Sequence, residues 1–193
     1  MKTLDFTFQF LGNNTAVDFA NSQVLVRSPF FVSMEATNEV LTWIEQAGLT
    51  VDVADLDANL HKVTEFRNGL KAIFAACIDE QEPKPKHIAL LNRYLPAYSQ
   101  RKEVKFNQGQ FVLDEVQHPF SVDEFLGFLA HEAATLLASP QVLKLKRCSN
   151  EKCILIYVDK SKSGRRRWCS MEICGNRAKA ANHYHNSKQA KAG

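Results

Sequence analysis

Nowhere in its 193 residues does this chain run 18 apolar residues together, so the sequence holds no candidate for a helix across a bilayer. Its first residues, Met1-Lys2-Thr3-Leu4-Asp5, lack the basic-then-apolar order of a secretory leader. A reducing cytoplasm is therefore the expected compartment, where cysteines are read as ligands before they are read as disulfides. Internal repeats and low-complexity segments are missing too. So are the signatures of catalysis: there is no phosphate loop, no nucleophile elbow and no His-Glu-x-x-His. His131-Glu132 alone makes no metal site, and Cys77 falls on the apolar stripe of a helix, where a core thiol is the ordinary reading. On these grounds the chain is not expected to be an enzyme.

Charge is present but unevenly placed. The net of +3 divides at Lys144: from there onward 13 Lys/Arg stand against 3 Asp/Glu, while residues 1–143 carry 11 against 18. The two parts thus bear +10 and −7, which suggests two modules and a polyanion as the partner of the second. With 45% hydrophobic residues, the first is long enough to bury a core of its own.

Periodicity fills in that first module. Leu4 to Phe10 alternates apolar and polar residues and reads as a short strand, and Val17 to Asn21 begins a helix. Ser33–Gly48 carries Val40, Leu41, Ile44 and Ala47 at helical spacing. Asp55 to about Glu80 is the strongest helix, its stripe running through Leu56, Leu60, Val63, Phe66, Leu70, Ile73 and Phe74. A further helix precedes Pro96. Asn107-Gln108-Gly109 lies between two short apolar runs as a hairpin turn. Ser121 caps a last long helix, with Glu124 three residues on. The expected fold class is α+β and mainly α: a helical domain with a small β-hairpin over 1–143, then a small module over 144–193.

Four of the five cysteines lie in that small module, as Cys148-x4-Cys153, fifteen residues, then Cys169-x4-Cys174. Thiolates are good zinc ligands, and each short-range pair closes a compact chelate loop. A segment of this size cannot bury enough surface to fold alone, and one structural Zn²⁺ would supply the deficit. Four thiolates fill a tetrahedral ion and leave no position for a reactive water. Between the pairs, Ile154–Val158 reads as a strand, with Arg165–Trp168 as its return. Ser170 caps a helix from Met171 towards His185. Hairpin followed by helix is a treble-clef-like arrangement.

Trp168-Cys169-Ser170-Met171, followed by Cys174-Gly175-Asn176-Arg177 and Lys179, resembles the CGNR zinc-finger family over about residues 144–187. Upstream, Val17-Asp18-Phe19-Ala20-Asn21 and Phe66-Arg67-Asn68-Gly69-Leu70 resemble the ABATE domain, the usual partner of that finger. Ser22 stands where the pattern has threonine. The resemblance implies a DNA-binding, stress-induced transcription regulator.

The residues suit that implication. Arg165, Arg166 and Lys179 are assigned to phosphates, with Arg167 in the same basic run, and Asn176 and Arg177 to bases or backbone. Asn176 and Arg177 can equally buttress the zinc loops, and Trp168 reads better as core than as a stacking platform. RNA binding, or a role as a protein-interaction adaptor, are the alternatives. In the first domain Asp18, Asn21 and Arg67 are polar among large apolar neighbours. They form either a buried network, with Arg67 paired to Asp18, or the pocket of a small-molecule effector. Oligomeric state is not legible in the sequence.

Overall fold

A computed structural model describes residues 8–26, 30–33, 36–99, 102–115 and 118–181. In chain order the first part comprises α1 (Thr15–Ala20), β1 (Gln23–Val26), β2 (Phe30–Ser33), α2 (Thr37–Gln46), α3 (Val53–Ile78) and α4 (Pro85–Tyr94). It continues through β3 (Lys102–Asn107), β4 (Gln110–Glu115) and α5 (Val122–Leu137). The chain then turns through Pro140–Lys144 into β5 (Leu145–Arg147) and β6 (Ile156–Val158).

Local chemistry accounts for the helix ends. Asn14 caps α1 by accepting from the Val17 N–H, and Asp52 caps α3 by accepting from Asp55. Ser121 and Glu124 close a reciprocal capping box at α5. Pro85 stands at the start of α4, where its missing N–H costs nothing. The 26-residue α3 is kinked at Asn59, whose amide donates back to the Asp55 carbonyl at 3.0 Å and so competes with the helix ladder.

The apolar faces of α1, α2, α3 and α5 meet in one core. Phe19, Trp43 and Phe125 form its aromatic centre, with Phe19 edge-on to Trp43 at 5.1 Å and to Phe125 at 5.7 Å. Phe66 packs edge-on to Tyr94 at 5.3 Å and draws α4 in. At Gly127 the backbone of Tyr98 passes so near that an added Cβ would sit 2.6 Å from its nitrogen. That glycine lets α5 meet the turn after α4.

The mainly helical class is as expected, and α2, α3, α4 and α5 fall where periodicity puts them. The β3–β4 hairpin turns at Gln108 and Gly109, both with positive φ (51° and 82°), as a two-residue primed turn requires. Three features differ from the sequence reading. Residues 8–10 are not in a strand, and the rest of the Leu4–Phe10 run lies outside the described residues. An unforeseen antiparallel pair joins β1 to β2, in register from Gln23↔Ser33 to Val26↔Phe30. And β6 pairs with β5, upstream across the first cysteine loop, whereas Arg165–Trp168 has no strand structure.

The last difference sets the relation between the two parts. With one edge on β5, β6 turns its other edge to the first domain. Val158 N–H donates to the Gly12 carbonyl (2.9 Å), and the Asn13 side chain donates to the Val158 carbonyl (2.8 Å). The Asn21 amide brackets Ile156, donating to its carbonyl at 2.7 Å and accepting its N–H at 3.0 Å. Leu145, Ile156 and Val158 are buried in the same core as α1, α3 and α5. No linker separates the halves; they share an interior.

Candidate metal centre and basic face

Each cysteine is placed by a short, hydrogen-bonded turn. Cys148 follows β5 and donates its N–H to the Leu155 carbonyl (3.0 Å), while Cys153 donates to Asn150 O (2.8 Å) and tightens the loop between them. Beyond Cys169, Ser170 Oγ accepts from Ile173 N–H, and the Cys174 and Gly175 N–H groups fold back onto the Ser170 carbonyl. This wide turn, Met171–Gly175, leads into helix as far as residue 181. His183 and His185, towards which the helix was expected to run, lie outside the described residues.

The four Sγ atoms all fall within 4.8 Å of one another, with Cys153–Cys169 at 3.7 Å and Cys169–Cys174 at 3.6 Å. Sulfurs about 2.3 Å from a tetrahedral zinc would be about 3.8 Å apart, so the set fits that ion. No disulfide links them. Cys169 and Cys174 are buried and Cys153 half-buried, with Tyr157, Trp168, Leu155, Ile173 and Leu11 packed around the cluster. The Cys169 N–H also donates to Cys148 Sγ at 3.4 Å.

Without a metal the four thiols compete for charge. A hydrogen bond from Cys169 brings Cys153 down to about 5 despite its burial. That same bond, with burial, pushes Cys169 far above the thiol range, and burial pushes Cys174 up to about 12. One thiolate forms readily and discourages the next. A dication removes the conflict by neutralising the accumulated charge. The four cysteines therefore form one structural zinc site.

Around this site the basic residues divide into two groups. Arg166 turns inward: its Nε donates to the Trp168 carbonyl (2.9 Å), and its Nη2 donates to the carbonyls of Leu11 (3.3 Å) and Cys169. The guanidinium lies over the Tyr157 ring, 4.2 Å from its centroid, and the Tyr157 hydroxyl donates to the Arg166 carbonyl (2.8 Å). The sequence reading gave Arg166 to phosphate; its hydrogen bonds make it a strut between the zinc loop and the first domain. Lys146 is also engaged, with Asp159 Oδ2 (2.7 Å) and the Gly164 carbonyl (2.6 Å), and Arg147 pairs with Asp79 (2.6 Å).

Lys160, Lys162, Arg165, Arg167, Asn176, Arg177 and Lys179 are exposed. Among the described residues no carboxylate pairs with these cations, and Asn176 and Arg177 send no side-chain hydrogen bond to the zinc loops. Arg165–Arg167 lines two open concavities. One, of about 350 Å³, also has Trp168 and Met171 in its wall; the other, of about 680 Å³, has Lys146, Arg147 and Ser149. The Arg167 guanidinium lies 5.1 Å from the Trp168 ring, which is half-buried against the metal cluster.

Asp159 went unmarked in the sequence. It is 1% exposed and accepts from Lys146 Nζ, from the Ser161 N–H and hydroxyl, and from the Arg166 N–H. Burial opposes its charge, yet the bonds from Lys146 and Ser161 prevail and hold the carboxyl well below its ordinary value. It fixes the turn that carries the basic run. An isolated acid within a basic segment was the available signal.

Asp18, Asn21 and Arg67 are all buried, but Arg67 does not pair with Asp18. Asp18 accepts instead from the Gly12 N–H (2.7 Å), beside the contact of Gly12 with β6. Asn21 lines a recess of about 50 Å³ with Lys71 and Arg147, far below the roughly 300–1,000 Å³ of ordinary ligand pockets. These two residues belong to the junction between the halves.

Burial pushes the Asp18 carboxyl up to about 6, against the lowering effect of the Gly12 and Leu11 N–H groups and the Lys160 charge. An unfolded Asp titrates near about 4, so between about 4 and 6 the folded chain holds the extra proton and stability falls as pH rises. The loss is complete above the folded value and amounts to about 3 kcal/mol at most. Asp18→Asn keeps an acceptor for Gly12 and removes the charge. Urea unfolding is expected to show the variant gaining on wild type between about pH 4 and 6 and holding that gain above it; parallel curves would refute this titration.

Residues 13–140 match the ABATE family, described as "Putative stress-induced transcription regulator", and residues 144–187 match the CGNR zinc finger. No curated protein matches the chain. A four-thiolate zinc module fused to a helical domain is the class that fold and site define. The chain belongs to the ABATE family and carries a CGNR zinc finger at its C-terminal end. No described helix is long and apolar enough to cross a membrane.

Proposed function

We propose that this chain is a zinc-dependent, non-catalytic regulator of transcription that binds duplex DNA through the face held by its metal centre. The observation that carries the reading is the group of exposed cations without acidic partners among the described residues. Arg165 and Arg167 stand on the loop between the cysteine pairs, and Arg177 and Lys179 on the helix that leaves Cys174. Guanidinium and ammonium groups without a carboxylate partner can exchange counterions for phosphates, the main source of affinity for a polyanion. The family description points the same way. Duplex is favoured over single-stranded RNA because Trp168 is half-buried and faces Arg167, which leaves its ring poorly placed to stack on a base.

Fluorescence anisotropy of a labelled duplex against the zinc-loaded protein tests this. Neutralising some four phosphates would give a slope of about −3 to −5 in log affinity against log salt. Arg165→Ala and Arg167→Ala are each expected to weaken binding by about tenfold and to flatten the slope by about one. Absence of binding at low salt, or affinity indifferent to salt, would defeat the proposal. Preference for structured RNA in competition would move the function to that polymer.

A further inference from the structure

Among the described residues the β3–β4 ribbon has no cover. Its register puts Val104 opposite Leu113 and Phe106 opposite Phe111, and the alternation of a strand sends these four to one face. They are 67%, 63%, 63% and 78% exposed in the order Val104, Leu113, Phe106, Phe111. The two phenyl rings touch each other, centroids 4.9 Å apart. On the opposite face Lys105 bridges Glu103 and Asp114, both at 2.9 Å, while Lys102 and Glu115 stand opposite each other at the open end of the apolar face. No other described element packs broadly against the ribbon. A two-stranded ribbon in water is marginal unless something buries its apolar face.

We propose that the apolar face of this ribbon is the self-association surface of the protein, two copies packing ribbon to ribbon about a twofold axis parallel to the strands. The face is suited to a copy of itself. Such an axis lays Phe106 over the partner copy's Phe111 and Val104 over its Leu113, so aromatic meets aromatic and aliphatic meets aliphatic along the apolar part of the seam. The charged pair on that face, Lys102 and Glu115, does not oppose a second copy, because the same axis sets each over its oppositely charged counterpart. Covering both faces removes on the order of 1,000 Å² of apolar surface, near the lower limit for a specific interface. A nucleic acid is the wrong occupant: over residues 102–115 two lysines stand against three acids. Should the basic face bind duplex, the dimer would present two such faces related by the same axis, as a palindromic site requires.

Sedimentation velocity on the zinc-loaded full chain, nuclease-treated and in high salt, decides the matter without reference to DNA. Wild type is expected to pass from monomer to dimer between micromolar and submillimolar concentration. Phe111→Glu places a carboxylate against the partner's ring and is expected to weaken the dimer by about 100-fold or more. Val112→Glu, on the opposite face, is expected to leave it intact. Both positions are solvent-exposed, so unchanged helical circular dichroism and zinc content confirm that the variants fold. A wild type that stays monomeric throughout would overturn the proposal. So would a Phe111→Glu dimer of undiminished strength, or equal weakening by both substitutions.

Discussion

Cys169→Ser is expected to strip the protein of zinc and to destabilise far more than the segment that holds the metal. Cys169 is 1% exposed and touches both Cys153 and Cys174, so no neighbouring ligand can replace it. A segment this small has too little core to fold without its ion, whose binding supplies roughly 10–16 kcal/mol in structural sites. The effect spreads because Leu145, Ile156 and Val158 are part of the same interior as Phe19 and Phe66. We expect a loss of about 3–5 kcal/mol across the whole unfolding transition, with duplex binding abolished. Cys77→Ser is the control: that thiol is half-buried on α3, away from the cluster, and the variant should keep one zinc per chain. Metal analysis and thermal melting on the two proteins give the comparison. Zinc retained by Cys169→Ser, or a melt confined to the C-terminal segment, would show the shared interior to be misjudged.

The second large effect separates neighbours in the run Arg165-Arg166-Arg167. Arg166→Ala is expected to cost about 2–4 kcal/mol, because the carbonyls of Leu11, Trp168 and Cys169 lose their common donor and Tyr157 its cation. Arg166→Lys should recover only part of this, since an ammonium cannot span carbonyls that the planar fork reaches together. Arg165→Ala should leave stability within about 0.5 kcal/mol and act on DNA affinity instead. Urea unfolding and anisotropy, run on both variants, yield two opposite patterns. The division of roles fails if Arg165→Ala and Arg166→Ala behave alike in both assays.

That contrast shows where sequence reading stops. Charge is visible in a sequence, but the acceptors that claim a charge are not: the three carbonyls that hold Arg166 include one 155 residues away. For the same reason the junction was missed, because Asn21 meets Ile156 across 135 residues. Helices were legible where the signals are local, as with the stripe of α3 and the Ser121–Glu124 box of α5. The β3–β4 hairpin was legible because Gln108-Gly109 supplies two positive φ angles. The β1–β2 pair has no such turn dipeptide in Arg27-Ser28-Pro29. The strand expected over Ile154–Val158 forms only over Ile156–Val158 and has another neighbour: proximity suggested Arg165–Trp168, whereas the cysteine loop brings β5 back beside it. The cysteines themselves were the clearest case, since their spacing encodes the chelate loops and needs no long-range contact to be read.

Zinc K-edge absorption on the purified full chain, with metal content measured on the same sample, addresses that centre directly. One zinc per chain with a shell of four sulfurs at about 2.3 Å is the expected result. A nitrogen or oxygen neighbour in the shell, or a folded chain free of zinc without any chelator, would contradict the four-thiolate site on which the basic face depends.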